Sequence, residues 1–278
     1  MSFRINSNIG AMSANLHSNI NNLGVNRSIE SLASGSKLNN SSYNAAGLAI
    51  ANQLSAQVSG MGQAIMNSNE SVGLVQVADG ALQEYGNILQ DVRRLTIQAS
   101  NDTLNAGDKA IIQQEIDSLM SSADDIAKTT SFNGIKLLDG TGGSAGNGTF
   151  ITHTGADSGE TQSVTIGDAQ TASVLGGATI DVTTQANAEV SLGSVDAAID
   201  TINGLRADLG ASQNQIMSNI RNISVSQINI ASAESQIRDI DFAAESANFS
   251  NLNILSQTGS FALSQANASQ ANVLNLFR

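Results

Sequence analysis

The 278-residue chain has no cysteine, no proline and no tryptophan. Without cysteine it has no disulfide framework, no thiolate metal site and no cysteine nucleophile. Average usage near 5% would place about 14 prolines in a chain this long. Their absence removes the main helix breaker and the main rigid-turn residue together. Charge is scarce too: charged residues make up 13% of the chain, about half the usual quarter. Twelve Lys and Arg stand against 24 Asp and Glu, for a formal charge of −12, so no basic stripe is available for a phosphate backbone and nucleic acid is excluded as a partner. The longest strongly apolar stretch, around Ala45 to Ala51, is far below membrane-spanning length. The opening Met-Ser-Phe-Arg-Ile-Asn has no basic region followed by an apolar one, so no signal peptide is expected. Apolar content is ordinary at 41%, and most of the rest is Ser, Asn, Thr and Gln. Such a surface has little charge density to repel copies of itself, although the net charge alone favours solubility.

Alternating steps of four and three from Val195 pass through Ile199, Ile202, Arg206, Leu209, Gln213, Ile216, Ile220, Ile223, Gln227, Ile230, Glu234 and Ile237. Nine of these thirteen positions are Val, Ile or Leu, which is a coiled-coil seam of about six heptads. A straight helix over it is about 64 Å long, so an elongated molecule is expected. Ile5, Ile9, Met12, Leu16, Ile20 and Leu23 form another stripe at helical spacing, and Val58, Met61, Ile65, Val72, Val75, Leu82 and Leu89 a third. A shorter helix is predicted across Ile112, Ile116, Leu119, Ala123 and Ile126, with turn and cap chemistry supplied by Asp102 to Gly107.

Residues 131 to 192 differ in kind. Asn133-Gly134 between short apolar runs is the strongest two-residue hairpin signal. Gly142 to Gly148 reads as loop, and Ser163 to Ile166 and Thr179 to Thr184 as short strands. The expected fold is therefore mainly α: an elongated antiparallel coiled-coil-like bundle with a small β-hairpin-rich insert and with the N and C termini paired. In the tail, Ile240, Ala244, Ala247, Leu255, Ala262, Ala266 and Val273 keep helical spacing, but Ala replaces large residues and Gly259 interrupts. Little apolar area is buried per residue in such a helix, so both ends are expected to be marginal alone and to order against neighbouring copies.

Several motifs in order also resemble one family. Ser31-Leu32-Ala33-Ser34-Gly35-Ser36-Lys37-Leu38-Asn39, followed by Ala45-Ala46-Gly47-Leu48-Ala49-Ile50-Ala51, is similar to the N-terminal signature of bacterial flagellins. Phe132-Asn133-Gly134 with Lys136-Leu137-Leu138 resembles the hairpin after that family's third helix, and Asn272-Val273-Leu274-Asn275-Leu276-Phe277-Arg278 its C-terminal close. The resemblance implies a non-enzymatic structural subunit that self-polymerises into the flagellar filament for motility, needs no cofactor, and lies outside the cell after export through the flagellar type III channel. It implies an export chaperone, a filament cap and hook-junction proteins as partners besides the chain itself, and no membrane. The regions would be 1–44 (core helix and linker), 45–140 (helical domain, first part), 141–190 (short variable insert), 191–238 (long helix of the helical domain) and 239–278 (C-terminal core helix). Polymerisation contacts would fall on Ile5, Ile9, Met12, Leu16, Ile20, Leu23, Leu255, Ala262, Ala266, Val273, Leu274 and Phe277, and a charge at Leu255 or Leu274 should block assembly. Alternatives are the hook–filament junction protein and a coiled-coil binding or adhesion module, which would form a defined oligomer.

The resemblance also bears on recognition by others. Asp91, Arg93, Arg94 and Leu95, with Glu115 on the next helix, fall on the stretch recognised by the vertebrate Toll-like flagellin receptor. Asp91 stands where stimulating versions have Arg and Arg94 where they have Glu, so weak or absent activation is expected. Ser42-Tyr43-Asn44 replaces the family's frequent Lys-Asp-Asp run, which removes its charge pairing at the linker. O-linked sugars would sit on Thr141, Ser144, Thr149, Thr152, Thr154, Ser158, Thr161, Ser163, Thr165 and Thr171; the alternative reading is that these are merely polar loop and strand residues. Some flagellins carry a zinc protease in the central region, but Thr154-Gly155-Ala156 follows His153, so the H-E-x-x-H spacing is missing. His17 reads as a surface or interface residue, and Asp124-Asp125 and Asp239 with Asp241 as solvated carboxylates without an EF-hand loop.

Overall fold

A computed structural model describes residues 7–276. Its elements are α1 (Ile9–Ser34), α2 (Ala45–Ala99), α3 (Ala106–Thr129), β1 (Ser131–Phe132), β2 (Ile135–Lys136), β3 (Thr149–His153), β4 (Thr161–Thr165), α4 (Thr171–Val174), α5 (Gln185–Arg238) and α6 (Phe242–Leu276). The chain divides into two compact units. Unit 1 is drawn from residues up to Ala56 and from Asn229 onward; unit 2 is Gln57–Ile228.

Unit 2 holds the main core. Val195, Ile202, Leu209 and Ile216, spaced seven apart on α5, are fully buried, while Ile199 and Ile220 pack partly against the same cluster. This is the predicted seam. At its Arg206 position the guanidinium reaches the Asp79 carboxylate of α2 at 2.8 Å. A second pair, Arg93–Asp196 at 2.6 Å, has the charges exchanged between the helices; together the two pairs fix an antiparallel register of α2 against α5. From α2 come Val75, Leu82, Tyr85, Leu89 and Val92, and from α3 Ile112, Ile116, Met120 and Ala123. The α3 start is held by a capping box: Asn105 Oδ1 accepts from the Asp108 amide at 2.9 Å, and the Asp108 carboxylate accepts from the Asn105 amide at 3.3 Å. Two orphan donors of the first turn are satisfied in this way.

The insert is built from two separate antiparallel hairpins, β1–β2 and β3–β4. Asn133 (φ 49°) and Gly134 (φ 80°) both occupy the left-handed region, as the two-residue turn of type I′ requires. Between the hairpins runs the loop around Gly143, where a Cβ would lie 2.0 Å from the Thr149 carbonyl oxygen; no side chain fits there. In β4, Gln162 and Val164 point inward and Thr161, Ser163 and Thr165 outward.

One expectation fails. Thr179 to Thr184 is not a strand. Its β-branched alternation is real, since Ile180 and Val182 are buried, but no neighbouring strand pairs with it. The side-chain amide of Gln113 on α3 does so instead, donating to the Ile180 carbonyl at 2.9 Å and accepting from the Val182 amide at 2.8 Å. One glutamine thus satisfies the backbone groups that a partner strand would take.

Unit 1 pairs α1 with α6 antiparallel. Asn8 donates to the Ala266 carbonyl at 3.3 Å, Ser256 donates to Asn22 at 2.7 Å, and Ser28 bonds Glu245. Gly24 lies against Leu252 and Gly259 against Ser18. Beyond α1, Gly35 adopts the left-handed C-cap conformation, and the Ser36↔Asp239 bridge ties the two chain segments together, with Lys37 N–H donating to the Arg238 carbonyl at 2.7 Å. In the linker, the Arg27 guanidinium sits 4.1 Å from the centre of the Tyr43 ring, and the Tyr43 hydroxyl donates to Glu30 at 3.1 Å. A cation–π contact and a hydrogen bond therefore fasten the Ser42-Tyr43-Asn44 run.

Candidate functional site: the outward faces of the terminal helices

Small and polar residues make the seam of unit 1. Along α1, Ala11, Ala14, Ser18, Asn21, Gly24 and Ser28 are the less exposed positions, and along α6 Leu252, Ser256, Gly259, Leu263 and Ala266. Small side chains let the two backbones approach, but they bury little apolar area. The large residues of α1 look the other way. Ile9, Met12, Leu16, Ile20 and Leu23 are between 53% and 70% exposed. On α6, Phe242, Ile254, Leu255 and Phe261 are also exposed. Contiguous exposed apolar surface of this kind marks an interaction face.

Charge is distributed to match. Unit 1 has five acidic and five basic residues in sequence, whereas residues 57–228 have nineteen acidic and seven basic. The whole formal charge of −12 therefore belongs to unit 2. No Asp, Glu, Lys or Arg occurs from Ile5 to Asn26 or from Ser246 to Phe277, so the outward faces of α1 and α6 lie in uncharged tracts.

The structure sorts the residues singled out from sequence. Ile9, Met12, Leu16, Ile20, Leu23, Leu255 and Ala262 are exposed; Ala266 instead faces α1, where its carbonyl accepts from Asn8. Ile5 and Phe277 lie outside the described residues, as do the side chains of Val273 and Leu274. Exposed Ile254 and Phe261 escaped the sequence reading because the Ala positions of α6 masked their spacing. His17 is exposed on α1, and His153 ends β3, its carbonyl accepting from Asn67 at 3.2 Å.

In unit 2, Asp91 and Glu115 are exposed, Arg93 is bound to Asp196, and Arg94 pairs loosely with Asp91 at 3.5 Å. Leu95 is only 3% exposed and belongs to the core, so on this surface it offers no side chain to a docking partner. Among the candidate sugar sites, Thr141, Ser144, Ser158, Thr161, Ser163 and Thr165 are exposed; Thr149, Thr152, Thr154 and Thr171 are half-buried. The Thr152 hydroxyl bonds Ser71 at 2.5 Å, and Thr171 bonds the Tyr85 hydroxyl at 3.2 Å, so both are already engaged. No described helix is long and apolar enough to cross a membrane.

An all-but-helical chain with a neutral, apolar-faced pair of terminal helices defines a self-associating structural subunit. Comparison with known proteins assigns it to a family. The bacterial flagellin N-terminal helical region matches residues 5–142, and the bacterial flagellin C-terminal helical region matches residues 192–277. Flagellin FlaB2 of Treponema pallidum is 35% identical over 99% of both chains, and flagellin of Bacillus subtilis 38% identical over 99% of this chain and 100% of that one. The crystal structure of Bacillus cereus flagellin covers 61% of this chain and 94% of its own, with 31% identity and a TM-score of 0.51. The chain belongs to the flagellin family. It is a structural subunit of the extracellular flagellar filament, which serves motility, and not an enzyme; the hook–filament junction protein and the coiled-coil binder are not favoured.

Proposed function

We propose that the outward face of the α1–α6 pair is the surface through which the chain polymerises. The observation that carries this reading is the row Ile9, Met12, Leu16, Ile20 and Leu23, large, apolar and exposed on a helix whose seam is small and polar. The pair is marginal in isolation, and neighbouring copies supply the apolar cover that orders it. Amide exchange tests this: α1 and α6 should exchange rapidly in dilute monomer and slowly in filaments, and equal strong protection in both states would contradict it. Leu255→Asp should abolish filaments in electron micrographs while leaving the thermal unfolding of unit 2 in place. Normal filaments from that variant would remove Leu255 from the contact.

The same reading brings an export chaperone, the filament cap and hook-junction proteins as partners, with passage through the flagellar type III channel; the marginal ends and the lack of Cys and Pro suit a chain exported unfolded. Retention of the chain inside cells lacking that export channel tests it. Innate-receptor activation is weak, because Asp91 is exposed with reversed charge and Leu95 is withdrawn into the core. A reporter-cell assay should register a gain with Asp91→Arg, and full potency of the unaltered chain would refute the reading. O-linked sugars would occupy exposed Thr141, Ser144, Ser158, Thr161, Ser163 and Thr165; an intact mass of native filament subunits equal to the bare chain would end that proposal.

A further inference from the structure

We propose that the terminal helices associate head to tail, the α1 stripe of one copy packing on the α6 stripe of the next, rather than like on like. The inference rests on the polymer reading above and adds which face meets which. At 100° per residue, Ile9, Met12, Leu16, Ile20 and Leu23 are centred roughly 160° around α1 from the seam positions Ala11, Ala14, Ser18 and Asn21. On α6, Ile254 and Phe261 stand roughly 170° from Leu252, Ser256 and Gly259. Each helix uses its seam on the other, so within unit 1 the two apolar stripes look in opposite directions.

That geometry selects a mode of association. A single self-complementary patch closes a twofold dimer and stops, whereas two different faces meeting head to tail propagate into a ring or an open helix. A like-on-like contact at α1 would leave the α6 stripe, with Phe261 at 72% exposed, in need of a second and unrelated contact. Packing α1 on α6 covers both with one repeated contact. Nothing electrostatic opposes it: residues 5–26 and 246–277 contain no Asp, Glu, Lys or Arg, so no charge is stranded when the faces meet. The faces also differ in shape. The α1 row is aliphatic and continuous, while Phe261 projects from α6 beside small residues, Ser260 and Ala262, as a knob that a Leu- and Met-lined surface accommodates.

Because the chain has no cysteine, an introduced one is the sole thiol. Chains carrying Met12→Cys or Leu16→Cys are co-assembled with chains carrying Ile254→Cys or Phe261→Cys, each as a minority within unaltered chain, and the filaments are oxidised mildly. A disulfide needs Cα atoms roughly 4.4–6.8 Å apart. Covalent dimers are expected from at least one of the four mixtures, and only background from filaments holding one cysteine chain alone. Filaments that contain both chains yet give no mixed dimer in any combination would overturn the proposal, as would Leu16→Cys alone dimerising as efficiently as the mixtures. Failure of the unaltered chain to form filaments would instead refute the polymer reading, and this inference with it.

Discussion

Leu16→Ala isolates what one stripe residue does for assembly. Leu16 is 59% exposed in the subunit, and fully burying a leucine side chain is worth about 1.5–3 kcal/mol. The exposed share left for a neighbour is therefore worth about 1–2 kcal/mol, or a rise of roughly 5- to 30-fold in the critical concentration for polymerisation when it is lost. The subunit itself should barely change, because an exposed Leu→Ala on a helix falls within about 0.5 kcal/mol and Ala is the better helix former. The assay is sedimentation of polymer from free subunit over a concentration series at fixed salt, with the thermal unfolding of unit 2 followed in parallel. Ser18, one turn away on the seam side, is the control position, since its truncation removes almost no apolar surface. An unchanged critical concentration with Leu16→Ala, or a loss of unit 2 stability equal to the loss of assembly, would refute the reasoning.

Three further outcomes follow from unit 2 and its hairpin. Leu82→Ala, in a fully buried position, should lower unfolding stability by about 2–5 kcal/mol, read as a fall in the denaturant midpoint. Gly134→Ala should cost about 1 kcal/mol or more, because φ of 80° is strained for any residue with a Cβ, and the near-baseline stability of an Asn133→Gly variant in the same assay should contrast with it. The hydrogen bond from Lys128, aided by the Thr171 amide and hydroxyl, holds the Asp124 carboxyl below its usual range against a smaller desolvation effect. A depressed folded-state pKa means the stabilisation is present above the unfolded pKa and lost as pH falls through the folded one, so Asp124→Asn should be less stable than the parent at neutral pH. The gap should close below the ordinary carboxylate range, and a gap independent of pH would show that charge is not its source.

Much of the fold was legible because its signals were periodic. Val195, Ile202, Leu209 and Ile216 recur every seven residues, and those four face the core. The Asn133-Gly134 turn was legible because few dipeptides take two successive left-handed residues. Thr179 to Thr184 misled because alternation reports which side chains are buried, not what the backbone bonds to; a single glutamine side chain did the work of a strand. Leu95 sits in a run whose charged members are exposed, and only the packing of α2 shows that it turns inward. For α1 the stripe was evident, but its direction was not. An apolar row on a helix ordinarily faces its partner, whereas here the small residues on the opposite side make the seam. Only three-dimensional pairing distinguishes those two cases.

The central claim is that this subunit assembles through its terminal helices, and polymerisation of the purified chain in precipitating salt tests it most directly, followed by electron microscopy and sedimentation. Long uniform filaments that return to monomer on heating, and that fail to form once residues before Gly35 or after Asp241 are removed, are the predicted result. Persistent monomers or small closed oligomers of the intact chain, even with filament seeds present, would contradict the account.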